Sequence, residues 1–415
     1  MEELNVPPYF TCPISLEMMK DPVTVPTGIT YDRESIEKWL FSGKNTTCPV
    51  TKQVISDCEL TPNHTLRRLI QTWCTTHESD GVERIPTPKP MVSKSEISKV
   101  LKDTKSREQR VNCLRKLRSI ATENESNKYS MKAAGAAEFL VSMIVEEFEP
   151  SSSGEGDDFC YESIIRLPGE EALCLLHTLL PSDTMMRNLA AGQHGEFIEI
   201  LGEVMRRGSY DARAYAVVMM KSIMEVADPG KIFGLRQKIF VEVVEIIKDQ
   251  ISQQATKAAL QLLISLCPWG RNRMKAVEAN AVSELIDLLL ETTERRLSEL
   301  ALTLLDILCQ CAEGRSELLA HAAGVAVVSK KILRVSEVGS EKAVRILSSI
   351  SKFSVTPAVL EEMLQVGVVA KLCLILQVSC GSKTKEKAKE TLKLHAKAWK
   401  NSPCIPVNLA FSYPS

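Results

Sequence analysis

The chain has 415 residues, 44% hydrophobic and 25% charged, with a formal net charge of −1. That balance gives no basis for nucleic acid as the main partner, and no run of about 18 apolar residues marks a membrane span. Aromatic residues make up only 5%, so aliphatic helix formers carry the apolar content and packed helices are favoured over β-sandwiches. The length admits two or three compact domains, or one small domain and a repeat array. The thirteen cysteines are an odd number, and several, such as Cys174 in EEALCLLHTLL, sit inside apolar helical runs. They read as reduced cysteines used as small hydrophobes, which points to cytosol or nucleus. The opening MEELNVPPYF lacks a signal-peptide core.

In chain order, residues 1–79 mix short segments, turn residues and two helix candidates. One helix is expected from about Asp32, with Ile36, Trp39 and Leu40 on one face. A second follows Thr61-Pro62-Asn63, with Asn63 as N-cap and Leu66, Leu69, Ile70 and Trp73 as its apolar stripe. Extended segments are expected at Pro22–Val25 and Gly28–Tyr31. Residues 80–95 hold three prolines and read as a semi-rigid linker. Residues 96–400 read as helix after helix, interrupted by an acidic disordered loop at 149–158, and 401–415 as a loose tail.

The helical part repeats. An alanine-headed apolar pattern begins at Ala172, Ala216, Ala259, Ala301 and Ala343, in steps of 44, 43, 42 and 42, with weaker copies at Cys113 and Ala388. A second marker, a small-residue turn before an apolar helix, aligns Phe197, Phe240, Val282, Ala326 and Val369 in steps of 43, 42, 44 and 43. Two markers sharing one period predict about six armadillo or HEAT units of two or three helices. Each alanine is read as the head of its unit's last helix, and those helices are expected to line a concave protein-binding surface.

The chemistry-bearing motif lies at the N-terminus: Cys12-Pro13-Ile14-Ser15-Leu16, Asp21-Pro22-Val23, Gly28-Ile29-Thr30-Tyr31-Asp32-Arg33, Trp39, Cys48-Pro49-Val50-Thr51-Lys52 and Leu69-Ile70-Gln71-Thr72-Trp73-Cys74. A zinc RING is the obvious rival. Tetrahedral zinc needs four Cys or His ligands per site, usually with a C-x2-C pair. The segment offers only Cys12, Cys48, Cys58, Cys74, His64 and His77, and no such pair. Metal-free folding is the better reading, with Glu17, Lys20, Asp21 and Lys44 available for ion pairs.

Together these elements resemble a complete U-box, and the order U-box, RIPTPKP linker, repeats resembles the short plant U-box/armadillo-repeat E3 ubiquitin ligases. The resemblance implies a mostly α protein: a small α+β U-box, RING-like and zinc-free, followed by a right-handed armadillo-type α-solenoid. It implies transfer of ubiquitin from a charged conjugating enzyme to a substrate lysine with no cofactor and no covalent intermediate on this chain. Ile14, Leu16, Trp39 and Pro49 would contact the conjugating enzyme, and Lys52 would be a transfer-promoting donor. Cys12, Val23 and Trp73 would be structural.

Blander readings stand beside these. Ile14, Leu16 and Trp39 also fit a core, Lys52 a solvated lysine, and Cys12 has no His-Asp companion that would make it a nucleophile. The segments GRNRMKAV, SELIDLL, CAEGRSELLAH and KEKAKETLK resemble the stress- and pathogen-induced subgroup, which implies restraint of plant immune and drought responses. The competing function is a binding scaffold whose U-box is inactive or serves only homodimerisation.

Overall fold

The structure is a computed structural model and describes residues 6–42, 45–55, 60–78, 82–85, 97, 99, 107–148, 159–179, 182–191 and 196–399. The acidic segment 149–158, the tail 401–415, Lys44, Cys58 and most of the 80–95 linker lie outside the described residues. The chain forms two compact units, Met1–Leu140 and Val141–Ser415.

The first unit opens with a small α+β domain. Alternating short strands build an antiparallel sheet in the order β2-β1-β3, with β1 Pro22–Thr24, β2 Thr30–Asp32 and β3 Thr61–Pro62. Val23 faces Tyr31 in one pairing and Pro62 in the other, and both Val23 and Tyr31 are fully buried. Helix α1, Arg33–Glu37, follows β2 directly and widens into a π-helical turn over Lys38–Ser42. Helix α2, His64–Thr76, starts where the sequence predicts: the Asn63 side chain accepts from the Leu66 amide at 3.0 Å. Ile36, Leu40 and Ile70 meet Phe10, Met19, Val23 and Tyr31 in one core. Trp73 is only partly buried at its edge, ring edge against Phe10 at 6.1 Å and stacked on His77 at 4.5 Å. Val82 and Ile85, within the expected linker, also pack on this core. Helices Arg107–Glu123 and Glu125–Ala133 complete the first unit's helical part, up to the start of Ala136–Phe148.

In the second unit helices come in triplets, each a short helix, a middle helix and a long third one. One triplet is Pro229–Gly234, Gln237–Asp249 and Gln253–Leu266; the next is Gly270–Glu278, Ala281–Glu291 and Arg295–Leu308. The third helices Tyr210–Val226, Gln253–Leu266, Arg295–Leu308, Glu337–Phe353 and Ser382–Leu394 each pack on the next, and the middle helices do the same from Glu196–Arg207 to Gly324–Lys331. Ala172, Ala216, Ala259, Ala301, Ala343 and Ala388 all have no exposed surface, so the alanine marker is a packing marker. It does not mark the helix start: from Tyr210 to Ser382, each third helix begins six residues before its alanine. At three of these five starts a capping side chain, Ser209, Ser252 or Ser336, accepts from the amide three residues on.

The second marker is offset at one place. Phe197, Phe240, Val282 and Val369 are buried, but Ala326 is half-buried while Val325 and Val327 fill the core. At this turn Gly135, Asn280 and Gly367 hold left-handed backbone at φ 76°, 66° and 75°, a conformation that suits glycine and is tolerated by asparagine. Gly324 serves another need, since a Cβ there would lie 2.0 Å from the Leu318 carbonyl oxygen.

Bonds one period long tie repeats together. Asn272, fully buried, donates to the Ile232 carbonyl at 3.0 Å and the Leu266 carbonyl at 3.3 Å. Arg315 bridges the Cys309 carbonyl at 3.0 Å and the Ser354 hydroxyl at 2.9 Å. Among the described residues, no helix is long and apolar enough to cross a membrane.

Candidate functional site

Two short loops flank α1, and they are copies of one loop. Cys12-Pro13-Ile14-Ser15-Leu16-Glu17 and Cys48-Pro49-Val50-Thr51-Lys52-Gln53 share their hydrogen bonds position by position. Each cysteine amide donates across the loop, to Glu17 O and Gln53 O, both at 2.8 Å. Each cysteine carbonyl accepts from the residue four on, Leu16 and Lys52, both at 2.9 Å. Ser15 and Thr51 hydroxyls accept from the Glu17 and Gln53 amides at 3.4 Å in both loops. Leu16 and Lys52 both sit at φ 59°, a left-handed conformation that costs a non-glycine residue roughly 1–2 kcal/mol.

Sulfur organises both loops. Cys12 and Cys48 have no exposed surface. The Cys12 thiol accepts from the Asp32 amide at 3.3 Å and the Ile14 amide at 3.5 Å. The Cys48 thiol receives the Thr27 hydroxyl at 3.4 Å and the Thr51 amide at 3.5 Å, and lies 3.0 Å from the Tyr31 hydroxyl. That hydroxyl accepts in turn from the Val50 amide at 3.3 Å. Burial alone would raise the Cys48 thiol, yet the donors from Thr27, Thr51 and Tyr31 outweigh it and hold it at about 6. Burial and its bond to Cys48 push the Tyr31 phenol up. Among the described residues no group of three or more His, Cys, Asp or Glu side chains converges as ligands.

Ion pairs lock the frame behind the loops. Asp21 takes Arg33 at 2.5 Å and Arg67 at 3.4 Å, which joins the turn before β1 to α1 and α2. Asp32 accepts from the Lys20 and Asp21 amides at 2.8 and 3.0 Å. Of the charged residues the sequence offered for this task, Asp21 is so used, and Lys44 lies outside the described residues; the partners Arg33 and Arg67 lie in helices and carry no local signal.

The predicted site residues fall on one construction. Ile14 is partly buried against the core, while Leu16 is 77% exposed, so their surroundings differ despite their spacing of two. Pro49 is half-buried and Lys52 exposed. Trp39 packs its ring partly on the core and donates its indole N–H to the Thr47 carbonyl at 2.8 Å, pinning the second loop to α1. Val50, which the sequence reading did not single out, is 52% exposed beside Pro49. The doubling of the Cys-Pro-x-Ser/Thr pattern is the signal that finds it.

Fold and site together define a U-box protein with an armadillo-repeat body. The U-box domain family matches residues 6–79, and the plant U-box protein ARM repeat region matches residues 95–415. The chain is 55% identical over 418 residues to E3 ubiquitin-protein ligase PUB23 of Arabidopsis thaliana, covering 100% of this chain and 98% of the relative. It is 54% identical to E3 ubiquitin-protein ligase PUB22 of the same plant, with both chains covered completely. A solved chain from work on a phosphorylation switch between cadherin and β-catenin shares the fold at a TM-score of 0.59 and 12% identity, covering 86% of this chain and 62% of that one. The chain belongs to the plant U-box/armadillo-repeat family of E3 ubiquitin-protein ligases.

Proposed function

We propose that the paired-loop face receives a ubiquitin-charged conjugating enzyme and that the armadillo repeats hold the protein whose lysine is modified. Leu16 and Val50 reach out from matched loops, Ile14, Trp39 and Pro49 form the apolar floor between them, and Lys52 offers a cation beside the thioester. A fixed cationic donor favours the arrangement in which the thioester is attacked, and no covalent step on this chain is needed. The observation that carries the reading is Leu16: a large apolar side chain, 77% exposed, held in left-handed backbone by its own loop. An exposed apolar side chain on a strained, over-determined backbone is the mark of a contact residue.

Reconstitution of the full chain with activating enzyme, conjugating enzymes, ubiquitin and ATP tests this. Wild type is expected to build chains and Leu16→Ala to lose at least about tenfold in rate, a loss of ~1.4 kcal/mol of stabilisation. A wild-type chain inert with a broad enzyme panel would instead support a scaffold. The role we assign in immune and drought responses rests on the stress-subgroup segments alone; unaltered pathogen and drought responses in null plants would remove it.

A further inference from the structure

We propose that a cleft in the second unit anchors a basic side chain, lysine or arginine, on an extended segment of the target protein. This rests on the substrate-holding reading above and names the chemistry recognised. The cleft holds about 230 Å³ and opens where the last turn of the helix Phe159–Leu179 meets Asp183–Ala191 and Tyr210–Val226. At ~30 Å³ per water that is space for one long side chain with a little solvent. Val218 and Ser222, two and six residues beyond the buried Ala216, place it on the third-helix surface.

The lining divides in two. Met186, Val218 and Met219 make an apolar floor, and methionine adapts its shape to what it meets. Asp183 and Glu225 bring carboxylates to the cleft, and among the described residues no Lys or Arg lines it. Lys221 reaches Glu225 at 2.9 Å from outside the lining, but the Glu225 side chain is 55% exposed, so it keeps room for a second partner. His177 lies against Tyr215 at 4.9 Å, and burial pushes its imidazole down, so at neutral pH it adds no opposing cation. The Ser222 hydroxyl is turned back to the Val218 carbonyl at 3.1 Å. An apolar channel with carboxylates and no lining cation fits an aliphatic stem ending in a cation. An acidic side chain would meet like charge there, and a wholly apolar one would gain nothing from either carboxylate.

The test pans short random peptides displayed on phage against the immobilised full chain, then measures the enriched peptides by fluorescence anisotropy. The expected peptides share a Lys or Arg whose replacement by Gln weakens binding about tenfold. Asp183→Asn/Glu225→Gln should weaken the same peptides, and Asp183→Lys/Glu225→Lys should abolish their binding; both variants change exposed side chains, and an unchanged melting curve verifies the fold. Enrichment of acidic or wholly apolar peptides, no enrichment at all, or basic peptides indifferent to both variants overturns the proposal. A wild-type chain that builds ubiquitin chains but selects no basic anchor overturns the anchor alone. One that selects the anchor but builds no chains overturns the ligase reading alone.

Discussion

Leu16 and Lys52 set the terms at the residue scale, because each holds a conformation that glycine would hold at lower cost. Leu16→Gly is expected to leave stability unchanged or raise it by up to ~1 kcal/mol through relief of left-handed strain, while ubiquitin-chain formation falls as in Leu16→Ala. A urea titration beside the activity assay separates the two effects. Ile14→Ala is a poorer probe, since Ile14 also packs on the core. Cys48 adds a pH signature. Its folded value of about 6 lies below the ordinary thiol value of 9.0, so the stability it contributes is full above pH 9, declines as pH falls, and is gone below about 6. Urea midpoints across that window should fall towards acid in wild type and lose most of that slope in Cys48→Ser. A flat wild-type profile would reject a stabilised thiolate. Part of this site was legible: the two Cys-Pro segments come from residue type and order, whereas the contact list led by Ile14 comes from the resemblance to the U-box family. Tyr31, Thr27 and the Asp21–Arg33–Arg67 pairs did not, because their partners lie 12 to 46 residues away, and nothing local announces them.

Among the elements, Gly314 and Gly324 in the triplet Ala312–Ala320, Gly324–Lys331, Glu337–Phe353 are the sharpest probes. A Cβ on Gly314 would sit 2.2 Å from the Leu308 carbonyl oxygen and one on Gly324 2.0 Å from that of Leu318. Neither can be accommodated without backbone movement, so Gly314→Ala and Gly324→Ala should each cost about 1–3 kcal/mol or more. Gly270 begins a helix with nothing within 4 Å, so Gly270→Ala should be neutral or stabilise by about 0.4–1 kcal/mol. Thermal melts of the three variants decide the matter, and equal shifts would contradict the close approach. The contrast also explains how the repeats were read. Periodic apolar positions report packing, so Ala216, Ala259 and Ala301 fell on fully buried sites. Helix starts lie outside the apolar pattern, three of them at the capping hydroxyls of Ser209, Ser252 and Ser336, so the same markers misplaced them. Asn272 and Arg315, buried polar residues bonded across repeats, break the apolar rhythm and were invisible to it.

For the whole molecule, composition foretold helices with few aromatics, and the period foretold how they stack. The bonds between repeats span one period: Asn272 to Ile232 is 40 residues, Arg315 to Ser354 39, Ser349 to Cys309 40 and Ser329 to Val366 37. Among the described residues these bonds fasten each repeat to its neighbours, as a solenoid requires. The array thus keeps time as well as shape. Removing one residue from the helix Arg295–Leu308 throws the rest of that helix out of phase with its partners on both sides. Removing the 42 residues from Gln253 to Glu294 excises a whole beat and leaves the phase intact. The larger deletion should melt cooperatively within a few degrees of wild type, while the single-residue deletion should not fold, as calorimetry of the two will decide.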